Sequence, residues 1–160
     1  MIHVRMNTNN SYKLIVILAL LALSGCGQKP IKADLTTPEG AILSLEEAYR
    51  QHDVEKAVAC KNFKVEAAYM SRDKPAEFKS EELISKLAEI LELAYRAEMK
   101  KGFPDFNAVT SSKFPKKRDL GDGKMAVTEV CKYTDGGTST QEIMIAKTET
   151  GWKVMIPVRK

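Results

Sequence analysis

Glu129 is the residue of this sequence best placed for acid–base chemistry. It lies in the segment 124–133, where alternate residues of a β-strand would share its face; these are Met125, Val127, Cys131 and Tyr133. On a buried face, the carboxyl group would lose contact with water and its pKa would rise, as proton transfer requires. The centre of a strand also has a face toward solvent, and we expect Glu129 to lie on that face.

A ligand pocket is a second use for the same segment. Methionine side chains adapt to irregular apolar shapes, and aromatic rings supply flat apolar walls. The candidate pocket residues are Glu129, Met125, Tyr133 and Met144, with Met155 and Phe106 as further apolar side chains. An ordinary hydrophobic core would use the same residue types, so both interpretations stay open here.

Other patterns of catalytic and metal-binding residues are missing from the sequence. It contains no Gly-x-Ser-x-Gly motif and no Cys-x-x-Cys pair. His52 falls between two predicted helices, where we expect an exposed polar side chain. The sequence therefore predicts no metal, no cofactor and no catalytic residue, and it favours a protein that is not an enzyme without deciding the matter.

The N-terminal residues are typical of an export signal. Arg5 and Lys13 precede the uninterrupted apolar run 14–23. At about 1.5 Å per residue, this run is too short to span a hydrocarbon layer of about 30 Å. Leu23-Ser24-Gly25-Cys26 then resembles the lipobox of bacterial lipoproteins. The resemblance implies a signal peptide at residues 1–25 and lipidation of Cys26.

The same resemblance implies a location in the bacterial cell envelope. The lipid would hold the protein at a membrane facing the periplasm, and Gly27 in place of Asp favours the outer membrane of a Gram-negative cell. Residues 26–36 are then a tether, and residues 37–160 a single domain. This location, together with the lack of a nucleic-acid-binding motif, argues against nucleic acid as a partner.

Two cysteines remain after lipidation of Cys26. An even number of cysteines in an oxidising compartment predicts a disulfide, here between Cys60 and Cys131. Two separately buried thiols are the alternative, because cysteine packs well as a small apolar side chain.

The composition is that of one globular domain. The chain has 160 residues, 44% of them hydrophobic, with 25 basic and 21 acidic side chains. These values exclude a collagen-like, low-complexity or wholly disordered chain, and a polytopic membrane protein is excluded because the single long apolar run lies at the N-terminus. The basic cluster 113–118 is expected to be a solvated loop.

Helices are predicted in the first half of the domain. Thr37-Pro38 is a helix start, with the end near Gln51, and Asp53 caps a short second helix. A third helix covers 63–70. Ser80 caps the longest one, over 80–101, whose apolar face is expected to form much of the core; that face consists of Leu83, Ile84, Leu87, Leu91, Ala94, Tyr95 and Met99.

Strands are predicted in the second half. The segments 106–114, 124–133, 138–148 and 152–158 alternate in polarity and are separated by glycine-containing turns. Short turns of this kind favour an antiparallel meander. The predicted fold class is therefore α+β, with N-terminal helices packed on a curved antiparallel sheet of about four strands.

Two stretches resemble the nuclear transport factor 2-like, or cystatin-like, superfamily. They are the helical stretch 37–42 leading through 49–57, and the terminal strand Gly151-Trp152-Lys153-Val154. The resemblance implies a cystatin-like roll with a cone-shaped cavity between helices and sheet. Members of that superfamily include enzymes, ligand binders and interaction modules, so the fold does not choose the function.

The leading hypothesis is a membrane-anchored, non-catalytic envelope lipoprotein that acts as a binding or interaction module. Its partners would be the membrane, through the lipid, and an unknown envelope protein or small apolar ligand. The alternative is a small-molecule binder or an enzyme that uses the cone with Glu129. An open cavity at Glu129 would favour the alternative, and a filled core with an exposed apolar patch the leading hypothesis.

Overall fold

The computed structural model describes residues 34–158, in which helices precede an antiparallel sheet. The helices are α1 (Pro38–Arg50), α2 (Val54–Ala59), α3 (Phe63–Met70) and α4 (Glu81–Lys101), with a 3₁₀ turn at Ala76–Lys79. The strands are β1 (Val109–Gly121), β2 (Lys124–Tyr133), β3 (Thr138–Thr148) and β4 (Gly151–Val158). The predicted α+β class is confirmed. The predicted signal peptide, Cys26 and residues 27–33 of the tether lie outside the described residues.

Polar side chains set where the α-helices begin. The caps are Thr37, Asp53, Asn62 and Ser80, and each accepts a hydrogen bond from the backbone N–H three residues further on. These bonds satisfy N–H groups that the first turn of a helix leaves without a partner. Pro38 follows its cap at a position where no backbone N–H is needed.

The sheet is a four-stranded antiparallel meander in the order β1-β2-β3-β4. Its first strand continues to Gly121, so the basic cluster 113–118 is exposed strand and not the expected loop. Pro115 is tolerated there because β1 is an edge strand, and because the register of its pairing shifts between Lys113 and Lys116.

The main core lies between α1, α2 and one face of the sheet. Its buried members are Ala41, Ile42, Leu45, Ala48, Ala57, Cys60, Val127, Ile143, Ile145 and Val154. A smaller cluster, formed by Met144, Ala146 and Met155, packs against Val65 and Tyr69 of α3 and Leu120 of β1. Alternate residues of β3 therefore contribute to different clusters, as the period of a strand requires.

Helix α4 contributes less to the core than its periodicity predicted. Among its residues only Ile84 and Met99 are buried, whereas Leu83, Ile90 and Leu93 are exposed. The expectation that its apolar face forms much of the core is thus wrong. Its inward residues Leu91 and Tyr95 line a cavity instead of filling it.

The outer side of α4 carries an apolar groove of about 760 Å³. Apolar side chains of α3, the 3₁₀ turn and α4 line it, namely Met70, Phe78, Leu83, Leu87 and Ile90, with Lys74 and Lys86 also present. Within residues 34–158, no segment covers this groove. None of the helices in this part of the chain combines the length and apolar character that crossing a membrane requires.

The residues before α1 already belong to the domain. The Leu35 carbonyl accepts a hydrogen bond from Trp152 N–H at 2.7 Å, and Asp34 N–H donates to Ser44 Oγ at 3.0 Å. This segment runs so close to Gly40 and Gly151 that a Cβ at either position would overlap its backbone. The contacts of the domain therefore begin before residue 37.

Candidate ligand-binding site

A cavity of about 360 Å³ lies between the helices and the sheet. Its polar lining residues are Glu46, Tyr49, Lys61, Glu66, Tyr95, Glu129 and Gln141; its apolar ones are Ile42, Leu45, Phe63, Leu91, Pro104, Phe106, Ile143, Val154 and Met155. The volume falls in the range of about 300–1,000 Å³ that small-molecule sites usually have. The cavity is thus large enough for a ligand of modest size.

Helix α1 places Glu46 and Tyr49 in the cavity wall. Ile42, Leu45, Glu46 and Tyr49 recur at the three- and four-residue spacing that brings side chains to one face of a helix. Glu46 is 2% exposed, although it is charged in water at neutral pH. An acid in this stripe is therefore desolvated by the fold itself.

Strand β2 places Glu129 in the same wall. Glu129 is 1% exposed, so the expectation that it faces solvent is wrong. Val127, two residues earlier, is fully buried in the main core, and the strand period carries Glu129 to the same side. The helices that cover this face therefore shield Glu129 from bulk water, while Thr128 and Val130 on the other face of β2 stay partly exposed.

The two buried carboxyl groups lie beside each other. Arg50 Nη2 donates to Glu46 Oε2 at 2.9 Å, and Ser112 Oγ donates to Glu46 Oε1 at 3.1 Å. The pKa of Glu46 is raised to about 8, first by burial and then by the neighbouring Glu129, against the smaller opposing effects of Arg50 and Ser112. At neutral pH, Glu46 is accordingly mostly protonated.

One oxygen of Glu129 has no hydrogen-bond partner. Its Oε2 accepts a hydrogen bond from Gln141 Nε2 at 2.7 Å, while its buried Oε1 accepts none. A buried carboxylate oxygen without a donor costs free energy, since it has lost water without a replacement. The protonated Glu46 beside it offsets part of this cost, because it carries no negative charge that would repel Glu129.

A second polar pair lies in the cavity wall. Lys61 Nζ is 3.0 Å from Glu66 Oε2, and both side chains are more than nine-tenths buried. Lys61 also donates to the Met155 carbonyl and lies over the rings of Phe63 and Tyr95. Its burial lowers the pKa of the ammonium group, against the attraction of Glu66.

Aromatic side chains complete the wall. Tyr95 donates a hydrogen bond to the Tyr49 hydroxyl at 2.9 Å. The Tyr49 ring packs on Phe106 at a centroid distance of 5.5 Å, and Tyr95 packs on Phe63 at 5.6 Å. These contacts hold four rings around the space that the acid pair and the ion pair border.

Not every predicted pocket residue lies in the cavity wall. Glu129 does, but Met125, Tyr133 and Met144 do not. Met125 packs on the edge of the main core, and Met144 points to the smaller cluster on the other side of β3. The Tyr133 hydroxyl is hydrogen-bonded to Ser139 at 2.8 Å near the end of the sheet. His52 is exposed in a turn, as expected, and stacks on Phe103.

The predicted disulfide is absent from the structure. Cys60 and Cys131 are both buried and have free thiol groups. Cys131 pairs with Ser139 of β3, whereas the Cys60 carbonyl accepts a hydrogen bond from Val154, which pairs with Ile145. Those two positions of β3 are about 20 Å apart at the rise of a β-strand. A disulfide needs Cα atoms within about 7 Å, so the alternative of two separate thiols holds.

Sequence reasoning missed Glu46, Lys61 and Glu66. Two of them carried a signal: Glu46 lies in the stripe of Ile42 and Tyr49, and Glu66 lies between Phe63 and Ala67 on the buried side of α3. An acidic residue at an apolar position of a helical stripe marks a buried carboxyl group. Lys61 lies between helices and gave no such signal.

Comparison with known proteins gives little further information. No family model matches the chain, and no curated protein sequence matches it. Among solved structures, the chain is similar to a Campylobacter jejuni protein described as a nuclear transport factor 2-like transpeptidase, with a TM-score of 0.41 and 13% identity. The similarity covers 76% of this chain and 99% of that one. The α+β class rests on the elements described above.

Proposed function

We propose that this protein is a lipid-anchored, non-catalytic protein of the bacterial cell envelope that binds a small, mostly apolar molecule. The observation that carries this proposal is the cavity of about 360 Å³, whose apolar walls surround the carboxyl groups of Glu46 and Glu129. Such a combination of an apolar interior with few convergent polar groups is typical of small-molecule sites.

Packing energetics support a binding role for the cavity. Protein interiors normally leave few voids larger than a water molecule, because unfilled space forfeits dispersion contacts. An engineered cavity of about 150 Å³ is already sufficient to bind benzene. The larger cavity here leaves Leu91, Tyr95 and Phe106 with surface that a ligand would cover.

The lipid anchor is proposed from the N-terminal sequence. The apolar run 14–23 and the lipobox at 23–26 support lipidation of Cys26 and export to the periplasmic side of a membrane. The lipid attached to Cys26 would keep the cavity close to molecules that enter or leave the membrane.

An acid–base enzyme that uses the same cavity is the second candidate. Glu46 holds a proton at neutral pH beside Glu129 and could transfer it to a bound molecule. Binding needs only the geometry that the site has, whereas turnover also needs a substrate with an acidic or basic atom at the pair. Binding is therefore the function that we propose first.

Cavity binding is tested with 2-phenylethanol as an uncharged probe. The protein is reconstituted in phospholipid nanodiscs, and binding is measured by calorimetry against empty nanodiscs. Leu91→Trp fills the cavity from α4 and should weaken binding at least tenfold. Leu93→Trp, on the same helix but 67% exposed and outside the cavity, is the matched control and should bind like the wild type.

Two results would contradict the binding proposal. Either wild-type protein would give no heat above the empty nanodiscs, or Leu91→Trp would bind the probe as tightly as the control.

The anchor is tested separately by Cys26→Ser. This variant should leave the membrane fraction or stay unprocessed, and its mass should lack the acyl chains. Membrane attachment and mass identical to those of the wild type would refute lipidation at this residue.

A further inference from the structure

One buried carboxylate oxygen in the cavity wall, Glu129 Oε1, accepts no hydrogen bond from an N–H or hydroxyl group of the described residues. Glu66, in the same wall, is ion-paired instead, with its Oε2 3.0 Å from Lys61 Nζ. Glu129 is 1% exposed, so bulk water does not supply the missing donor. The free oxygen of Glu129 calls for a ligand that donates a hydrogen bond.

The cavity wall contains more carboxyl groups than positively charged groups. The wall contains three carboxyl groups, those of Glu46, Glu66 and Glu129, and one ammonium group, that of Lys61. Arg50 lies outside the wall and is paired with Glu46. Even with Arg50 included, the described groups at this site lack one positive charge. Buried charges are stable only when paired, so a proton or a bound cation must supply it.

The aromatic walls suit a cation as well. Tyr49, Phe63, Tyr95 and Phe106 all border the cavity, and the Lys61 ammonium already lies 5.4 Å from the centre of the Tyr95 ring. Aromatic faces attract cations within about 6 Å, more strongly where water is excluded. The same rings would cover the apolar body of a ligand.

We propose that the ligand is a small organic cation, a protonated primary amine on an apolar or aromatic body, with its ammonium group against Glu129. This inference rests on the proposed binding function and specifies the chemistry of its ligand. The ammonium N–H groups donate to the free oxygen of Glu129, and the body of the molecule lies among the four rings.

Binding of such a cation releases a proton from the protein. In the empty cavity the proton on Glu46 balances the charge of the pair, and burial raises the pKa of Glu46 to about 8. The titratable and charged groups that face Glu46 are Glu129 and Cys131 on β2 and Arg50 on its own helix. When the ligand binds, its ammonium group takes the place of the proton on Glu46, and this proton is released to the solvent.

The experiment compares three probes with the same aromatic body. They are 2-phenylethylamine, 2-phenylethanol and 3-phenylpropanoate, which are positive, neutral and negative at pH 7. Each is titrated into the nanodisc-bound protein by calorimetry, with empty nanodiscs as the blank. The amine should bind at least tenfold more tightly than the alcohol, since hydrogen bonds to a charged group are about twice as strong as neutral ones. The acid should bind most weakly.

Isosteric variants locate the ammonium group. Glu129→Gln should weaken binding of the amine at least tenfold more than it weakens binding of the alcohol. Glu47→Gln is the matched control, because Glu47 is on α1 beside Glu46 but does not line the cavity. If Glu129→Gln fails to fold, Glu46→Gln takes its place with the same expectation. Titrations in two buffers of different ionisation enthalpy should show close to one proton released per amine bound at pH 7.

The outcomes separate the two proposals. Tight amine binding that depends on Glu129, together with weaker but measurable binding of the alcohol, supports both. Equal or tighter binding of the alcohol or the acid overturns the cation proposal and leaves the cavity as a binding site. Amine binding that is unchanged in Glu129→Gln also overturns it. If none of the probes binds, both proposals fail.

Discussion

Replacing Glu46 by Gln should change how the stability of the fold depends on pH. The folded-state pKa of Glu46 is about 8, against an ordinary value of 4.5. Between these values the folded protein holds a proton that the unfolded chain has lost, so the free energy of unfolding falls as pH rises. In the wild type we expect a loss of about 2.5 kcal/mol between pH 5.5 and 7.5, at about 1.4 kcal/mol per pH unit for one proton.

Other groups contribute little to this pH range. Hydrogen bonds lower the pKa of the carboxyl groups of Asp34, Glu39, Asp53 and Glu55, which are ionised in both states above pH 5.5. Burial lowers the pKa of Lys61, which raises stability with pH and so opposes the effect of Glu46. The variant therefore identifies the titrating group better than the wild-type slope alone.

Urea unfolding at a series of pH values measures the effect. With a dependence of about 1–3 kcal/mol per molar urea, the wild-type midpoint should fall by about 0.8–2.5 M from pH 5.5 to 7.5. In Glu46→Gln, most of this decrease in the urea midpoint should disappear. Glu129→Gln should keep part of it, because burial, and not the neighbouring charge, is the largest cause of the raised pKa.

A surface carboxyl group provides the control. Glu82→Gln removes an exposed acid that pairs with Lys86 on α4 and should leave the wild-type slope intact. Glu46 is not the titrating group if Glu46→Gln shows the same pH dependence of stability as the wild type. Its pKa is not raised in the folded protein if the wild-type urea midpoint does not move over this range.

Three further predictions follow from the packing. Ile145→Ala, at a fully buried position, should lower the free energy of unfolding by about 2–5 kcal/mol. Ile90→Ala, on the exposed side of α4, should change it by less than about 0.5 kcal/mol. Equal effects of the two variants in urea unfolding would contradict the placement of Ile145 in the core and of Ile90 outside it. Gly151→Ala should cost at least about 1 kcal/mol, because its φ of +118° is strained for alanine and a Cβ would overlap the N-terminal segment; an unchanged melting temperature would exclude this contact. Cys60 and Cys131 should react with a thiol reagent only after unfolding, without prior reduction; a disulfide-linked peptide in mass spectrometry would show that the oxidised protein differs from this structure.

Local signals made most of the secondary structure predictable. The caps at Thr37, Asp53 and Ser80 begin helices where expected, and the glycine turns separate the strands. Such signals act over a few residues, so a single sequence is enough to find them. The continuation of β1 through Pro115 was not predicted, because only its position at the sheet edge makes that proline acceptable.

The cavity could not be predicted in the same way. Periodicity identifies an apolar face, but it does not say whether that face meets other side chains or an empty space. Leu87 and Leu91 have the spacing of core residues, yet the first lines the outer groove and the second the cavity. Which strand residue meets which helix residue depends on tertiary packing, and so the neighbourhood of Glu46 and Glu129 was not evident from their positions in the sequence.

The buried acid pair is itself an argument for function. Apolar side chains of similar volume are often neutral or stabilising in place of buried charged groups, so Glu46 and Glu129 are not what stability alone would select. Their cost is only partly offset, because Arg50 and Ser112 hold one carboxyl group while the other keeps an oxygen without a donor. Local rules of folding are typically broken where a site needs a group that the core does not. A cavity of ligand size at that same place makes binding the function that accounts for both features.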